Sequence, residues 1–236
     1  MQLRDDGAGL VCPERDVYRA LLALDNARVL ELGCGRAEHT RAIADSFPGV
    51  RITALEVDRI QHAQNLAVSD LPNVRFAEGG AEAIPAADAS FDIVLMFKSL
   101  HHVPTGLLDR ALAEVHRVLA PGGVAYFSEP VFAGEYNEIV RIFHDEERVR
   151  AAAFAALRRS VEGGVFELVA ERFFRAPVRF DSFAHFQQRV IGVTHTQHCL
   201  DEAQLAVVRD RFMRHVKADG ATFLQPMRVD LLRKAA

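Results

Sequence analysis

The residues with the clearest chemical potential lie in one short segment, Val29-Leu30-Glu31-Leu32-Gly33-Cys34-Gly35-Arg36-Ala37. An apolar run that delivers two glycines into a tight turn and then opens a helix lets backbone approach a ligand closely. The helix start offers free N–H groups to an anionic part of that ligand. The tripeptide alone is equally well read as a strand-to-helix turn that needs glycine dihedrals. Glu56 sharpens the reading. It ends the next apolar run, about 20 residues past the glycines, where an acid can take both hydroxyls of a ribose. Glu38 stands where a dinucleotide fingerprint would place its third glycine, and its side chain would meet a pyrophosphate. A dinucleotide is therefore disfavoured. Glu31, two residues before the first glycine, suits a cationic ligand.

A second set of candidates falls further along. His101 and His102 follow the apolar run Phe91-Asp92-Ile93-Val94-Leu95-Met96-Phe97, at the sheet edge where α/β folds keep their ligands. Adjacent histidines point apart, so one of them at most faces a substrate. The alternatives for that one are positioning or covering a ligand, or acting as a base, because histidine titrates near neutrality. Lys98 reads as a solvated strand end. Glu129 could accept a proton or pair with an arginine, although Pro130 beside it suggests a turn. His195 and His198 are three apart, a spacing that on a helix would suit a metal. With no third ligand at a clear spacing, a surface or substrate-pocket role is the better reading. Phe173, Phe174, Phe180, Phe183 and Phe186 read as core rather than as an aromatic cage.

These groups need elements to hold them. The first 130 residues alternate short apolar runs with helical patterns, the signature of βα units around a parallel sheet. Strands are predicted over 28–32, 50–55, 74–77, 91–97 and 124–128. The intervening helices run from 36 to about 47, over a face of Ile60, Ala63, Leu66 and Ala67, and over 105–119; residues 81–87 read as a turn of helix and a loop. A helix over 13–24, with a proline in its first turn, precedes the first strand. After Pro130 the pattern predicts a long amphipathic helix over 137–157 that Gly163-Gly164 ends. Two extended pieces around Pro177 in 166–180 follow, then a helix over 201–216 capped by Asp201 with Gln204, and a closing strand over 222–232.

Composition bounds the class. With 236 residues, half of them hydrophobic, the chain needs no staples to fold, which excludes disordered and disulfide-scaffold readings. The longest apolar stretch, Ala151 to Leu157, is seven residues, against the ~20 of a bilayer span, and the start lacks an apolar signal core. The expectation is a soluble cytoplasmic protein with no membrane partner. Cys12, Cys34 and Cys199 lie far apart without a CxxC, which argues against zinc and fits a reducing compartment. The net charge of −4 divides after Pro130 into −6 and +2. That is not the basic stripe of a nucleic-acid binder.

Residues 28 to 130 resemble the class I S-adenosylmethionine-dependent methyltransferases, with the family's motifs in order. VLELGCG is similar to its first motif and LEVD to its ribose-binding acidic turn. EGGAEAIPAADASFDIVL resembles the adenine-facing loop and fourth strand, and the HH pair and HRVLAPGG complete the series. The resemblance implies S-adenosylmethionine as cofactor, S-adenosylhomocysteine as product and no metal. It implies that Glu31 meets the methionyl amino group, Gly33 and Gly35 line the methionine moiety, Glu56 holds the ribose hydroxyls, and Ala81 and Glu82 flank the adenine. Cys34, Val57, Gly80 and Phe97 complete the implied cofactor set, with His101 and His102 as the catalytic candidates. Gly80 departs from the family, which commonly has an aspartate there that reaches the adenine amino group; either Glu82 or a backbone carbonyl replaces it.

The implied fold is α/β: a Rossmann-like, doubly wound, mostly parallel sheet of the seven-stranded methyltransferase type. A single domain is expected over 1–236. Residues 28–130 form its cofactor core, and 1–27 and 131–236 an acceptor-side cover with closing strands. The implied activity is methyl transfer to an O, N or C atom of a small-molecule acceptor. Its rivals are a non-catalytic sensor or scaffold that binds the same cofactor, and an NAD-dependent oxidoreductase, which Glu38 disfavours.

Overall fold

The computed structural model describes residues 1–3, 9–194, 196 and 198–235; His195 lies outside them. A two-residue strand β1 (Leu10–Val11) and helix α1 (Glu14–Leu21) lead into the βα units. These run β2 (Arg28–Leu32), α2 (Glu38–Ser46), β3 (Arg51–Glu56), α3 (Arg59–Leu66), β4 (Val74–Glu78), β5 (Phe91–Phe97), α4 (Leu108–Val118) and β6 (Leu119–Pro130). The second half supplies α5 (Glu135–Val140), α6 (Glu147–Glu162), β7 (Phe166–Phe180), α7 (Phe183–Phe186), α8 (Glu202–Met213), β8 (Val216–Lys217) and β9 (Gly220–Lys234).

The strands form one sheet in the order β1-β7-β9-β6-β5-β2-β3-β4, with β8 on β9. Strands β2 to β6 pair in parallel, and β9 runs antiparallel between β6 and β7. The expected seven long strands are present, with the short β1 and β8 added. The order reverses at β2, which lies between β3 and β5, so the crevice outside its carboxyl end is the place for a ligand. The middle strands are nearly continuous apolar runs because both of their faces are covered. Leu108, Leu112 and Val115 of α4 and Ala153 and Leu157 of α6 pack on one face. Val17 and Tyr18 of α1 and Ile43 and Ala44 of α2 pack on the other.

Several predicted elements take a different form. The helix expected over 137–157 is two helices, broken at 141–146. There the Asp145 carboxylate accepts from Glu147 N at 3.0 Å, and Glu146 turns into the interior at 7% exposure. A side chain that offers the backbone an alternative partner ends one helix and starts the next. Strand β6 begins at Leu119, five residues early, with Ala120 to Gly123 bulged out of its ladder with β5. Residues 166–180 are one strand through Pro177. The proline is tolerated because it lies past the end of β1, where β7 has no outer neighbour among the described residues. Residues 81–87 form turns without a helix.

Strand β6 ends at Pro130, opposite Met227, but β7 and β9 stay paired as far as Phe180 and Ala221. Their two-stranded ribbon therefore reaches past the carboxyl edge of the parallel strands. Ile139, Phe180, Phe186, Val208, Phe212 and Phe223 pack on it as a third apolar cluster, which binds α5, α7 and α8 over that edge. The phenylalanines of 180–186 are thus core, as expected. The capping box of α8 has both of its bonds. No helix among the described residues is long and apolar enough to cross a membrane.

Candidate active site

The glycine turn is built by close approach. Gly33 N and Cys34 N both donate to Leu55 O, at 2.9 and 3.0 Å. Gly33 has φ +70°, and a Cβ there would lie 2.7 Å from Ser99 Cβ, so position 33 requires glycine. The turn is tied to the next strand by Glu56. One of its carboxylate oxygens accepts from Gly35 N at 2.7 Å, and the other from Val57 N and Asp58 N at 2.9 Å each. Each oxygen has two lone-pair sites, so the fixed carboxylate keeps acceptor capacity toward the cleft. Glu31 lies at the end of β2 with 2% exposure and accepts from Thr40 Oγ1 at 2.6 Å. Burial pushes its carboxyl up to about 7; the Thr40 bond opposes this and the charge of Glu56 adds to it.

Helix α3 presents the unexpected face. Ile60 and Leu66, predicted to be buried, are 59% and 61% exposed, whereas Gln61 and Asn65 are buried. The polar face is needed because Asn65 Nδ2 donates to Gly35 O at 2.8 Å and is itself held by Gln61 Nε2 at 3.0 Å. The same Asn65 nitrogen lies 3.5 Å from Cys34 Sγ, and burial pushes that thiol well above its usual range. An apolar face would leave the glycine-turn carbonyl unsatisfied.

A cleft of about 610 Å³ opens over these groups, lined by all ten of the residues Glu31, Gly33, Cys34, Gly35, Glu56, Val57, Gly80, Ala81, Glu82 and Phe97. It falls in the size range of small-molecule sites. A Cβ on Gly80 would lie 2.5 Å from Glu82 Oε2, so the Glu82 carboxylate occupies the space where a side chain at position 80 would begin. Phe97 stacks on His39 with ring centroids 4.2 Å apart. Burial, then the charge of Lys98, lowers His39 to about 4, which keeps it neutral. Tyr18 of α1 meets Phe97 edge-on at 5.9 Å, so the N-terminal helix walls this side. His39, Gln61, Ser99 and Arg189 also line the cleft. Their types carry no sequence signal of their own; only their distance from the glycine turn in the fold reveals them.

Past β5 the two histidines differ in exposure, but their rings do not point apart as expected: the centroids lie 4.2 Å from each other, tilted by 42°. His102 is exposed and lines the cleft, whereas His101 is buried and does not. His101 Nδ1 is hydrogen-bonded to Glu129, and its Nε2 lies 3.3 Å from Glu146 Oε1. Burial alone would lower its pKa, but the two carboxylates outweigh burial and raise it to about 9. Both carboxylates are held below their usual range despite burial, chiefly by His101. Glu129 therefore pairs with a histidine and with Leu100 N rather than with an arginine.

A second cavity of about 240 Å³ adjoins the first and shares Lys98, His102, Arg189 and Val193 with it. Lys98 is no ordinary strand end, since it has φ +54°, a costly conformation without glycine. His101, His144, Glu146, Arg150, His198 and Gln225 add further polar groups to the wall of this cavity. Arg189 reaches across the mouth to Glu38 at 2.6 Å, joining the cover to the start of α2.

An order-reversing parallel sheet, with a glycine turn and two buried acids at adjacent strand ends below one cleft, defines a Rossmann-like protein. Residues 29–123 match the methyltransferase-domain family. An uncharacterized methyltransferase of Bacillus subtilis, YcgJ, is 30% identical over 211 residues, covering 82% of this chain and 78% of that one. The crystal structure of YcgJ superposes with a TM-score of 0.61 at 17% identity, over 94% of this chain and 97% of that chain. A phthiotriol/phenolphthiotriol dimycocerosates methyltransferase of Mycobacterium ulcerans is 34% identical over 106 residues, 45% of this chain and 38% of that protein. The chain thus spans about two fifths of the length of several curated relatives it matches. It belongs to the class I S-adenosylmethionine-dependent methyltransferases.

Proposed function

We propose that the protein transfers the methyl group of S-adenosylmethionine to an O, N or C atom of a small-molecule acceptor. The observation that carries this reading is the buried Glu31 carboxyl beside Glu56 in a glycine-lined cleft. A dinucleotide phosphate would be repelled there and an α-ammonium welcomed. Bound, the cofactor supplies an electrophilic methyl group on a sulfonium. Glu31 pairs with the ammonium group, Glu56 accepts from the ribose hydroxyls, and Ala81 and Glu82 flank the adenine. Glu82 does the work of the aspartate that Gly80 replaces, because its carboxylate already fills that space. His102 faces the acceptor across the join between the two cavities, and residues 131–236 act as the cover that excludes water.

Much of the rate then comes from holding the acceptor in line with the methyl group, in a site that closes around it. Calorimetry with S-adenosylmethionine, S-adenosylhomocysteine and NAD tests the cofactor: the first two bind and NAD does not. Binding of NAD alone would refute the reading. Release of S-adenosylhomocysteine in a screen of small acceptors tests turnover, and cofactor binding without turnover on any acceptor would favour the sensor.

A further inference from the structure

A cluster of side chains with ligating atoms lies between the sheet edge and the helix break. His101, His102 and Glu146 each offer a ligand atom, and these atoms all lie within 4.8 Å of one another. His101 Nε2 and Glu146 Oε1 are 3.3 Å apart. Two ligands on one tetrahedral ion stand ~3.3 Å apart, given metal–ligand bonds of ~2.0–2.1 Å. His144 Nε2 lies 2.8 Å from the same Glu146 oxygen, and His198 meets the His144 ring edge-on at 4.7 Å.

The groups around the ligands are arranged as an outer shell. Glu129 takes Nδ1 of His101 and is itself fixed by Leu100 N at 2.9 Å, which leaves Nε2 as the nitrogen facing the cluster. A carboxylate behind a histidine is the usual device for orienting a metal ligand. Arg150 holds the other oxygen of Glu146 at 2.5 and 3.1 Å, leaving Oε1 toward the cavity. The break at 141–146 brings His144 and Glu146 to this spot.

We propose that His101 Nε2, His102 and Glu146, with His144 beside them, bind a divalent transition-series ion such as Zn²⁺, Mn²⁺, Fe²⁺ or Co²⁺ at the acceptor end of the cofactor cleft. The imidazole-rich set disfavours Mg²⁺ and Ca²⁺, which prefer all-oxygen sites. His102 lines both cavities, so an open coordination position faces the acceptor. The acceptor class that fits is one with an ionisable oxygen. On the ion its hydroxyl loses a proton to solvent; an oxygen lone pair then forms the C–O bond, and the C–S bonding pair returns to sulfur. The use of the ion rests on the methyltransferase reading, but its binding does not.

The test is a titration of tag-free, EDTA-treated protein with Co²⁺ and Zn²⁺, followed by visible absorption and calorimetry. One equivalent of Co²⁺ should bind with d–d bands of four- or five-coordinate geometry, and Zn²⁺ should displace it. His102→Ala, at an exposed position, should keep the far-ultraviolet circular dichroism of the parent and bind Co²⁺ at least tenfold more weakly. Glu129→Gln should weaken binding about 10–100-fold, the range for an outer-shell partner. Absence of saturable one-to-one uptake, or unchanged Co²⁺ affinity in the folded His102→Ala protein, would overturn the proposal and leave His101 as a proton-bridged clasp. Calorimetry of the metal-free protein with S-adenosylmethionine separates the two readings. Cofactor binding without Co²⁺ binding defeats the metal site alone, and the converse defeats the methyltransferase reading alone.

Discussion

Glu31→Gln should make the protein more stable and a poorer binder of its cofactor, both in a pH-dependent way. The Glu31 carboxyl is 2% exposed, and burial raises it from 4.5 to about 7. A carboxyl with a raised folded pKa costs the folded state nothing below its unfolded value. The cost grows as pH passes from 4.5 to about 7 and is complete above that. At 1.36 kcal/mol per unit the full penalty is about 3 kcal/mol. Glutamine keeps the shape and can still accept from Thr40 but never ionises. The variant should melt ~6–12 °C higher at pH 8, at ~2–4 °C per kcal/mol for a chain of this size, and match the parent at pH 4.

The cofactor's ammonium needs the ionised carboxylate, so S-adenosylmethionine affinity of the parent should fall about tenfold per pH unit below 7. In Glu31→Gln that dependence disappears. At pH 8 the variant should bind roughly 10- to 150-fold more weakly, since a charge-assisted hydrogen bond is worth about 1.5–3 kcal/mol. Calorimetry from pH 5.5 to 8 and thermal melts over pH 4 to 8 measure both effects. A flat affinity profile in the parent, or a lower melting temperature for the variant at pH 8, would refute the electrostatic account of Glu31.

Three further perturbations follow from the geometry. Glu56→Ala removes the acceptor of three backbone N–H bonds and should weaken S-adenosylmethionine binding by about 1.5–3 kcal/mol, read by calorimetry; unchanged affinity would mean that the acid does not meet the ribose. Gly33→Ala places a Cβ 2.7 Å from Ser99 Cβ at φ +70° and should cost about 1–3 kcal/mol of stability in a urea melt, whereas Gly35→Ala, with open space around its Cβ, should cost less. His102→Ala should lower turnover far more than cofactor affinity in steady-state kinetics paired with calorimetry; equal loss in both would make it a covering residue.

How much of this was legible in the sequence depended on range. The glycine turn, Glu31 and Glu56 come from consecutive βα units, so strand periodicity and glycine chemistry place them without knowledge of the rest of the fold. The face of α3 was misread because Ile60 and Leu66 supply a helical apolar period, while the constraint that decides the face is a single carbonyl, Gly35 O, 30 residues away. The helix break at 141–146 was missed for the same reason. Asp145, which accepts from Glu147 N, is a local cause, but the pair that turns Glu146 inward is with His101, 45 residues away. His144 and Glu146, two residues apart, were the trace that sequence could have offered, and His198 was noted without the partners that give it meaning.

The two cavities handle charge in opposite ways, and this bears on which step of the reaction the protein controls. In the cofactor cleft burial favours the neutral form of two groups: Glu31 is raised to about 7 and His39 lowered to about 4. On the proposed reading, a cation bound beside Glu31 should ionise it. In the second cavity, before any metal displaces the Nε2 proton, His101 is raised to about 9 between two carboxylates held low. A matched network is rigid, because moving any member leaves a buried charge uncompensated. On the proposed reading, cofactor capture should be coupled to a proton release from Glu31, while the wall of the second cavity stands preorganised. Arg189, bridging to Glu38 across the mouth, joins the titrating half to the rigid one.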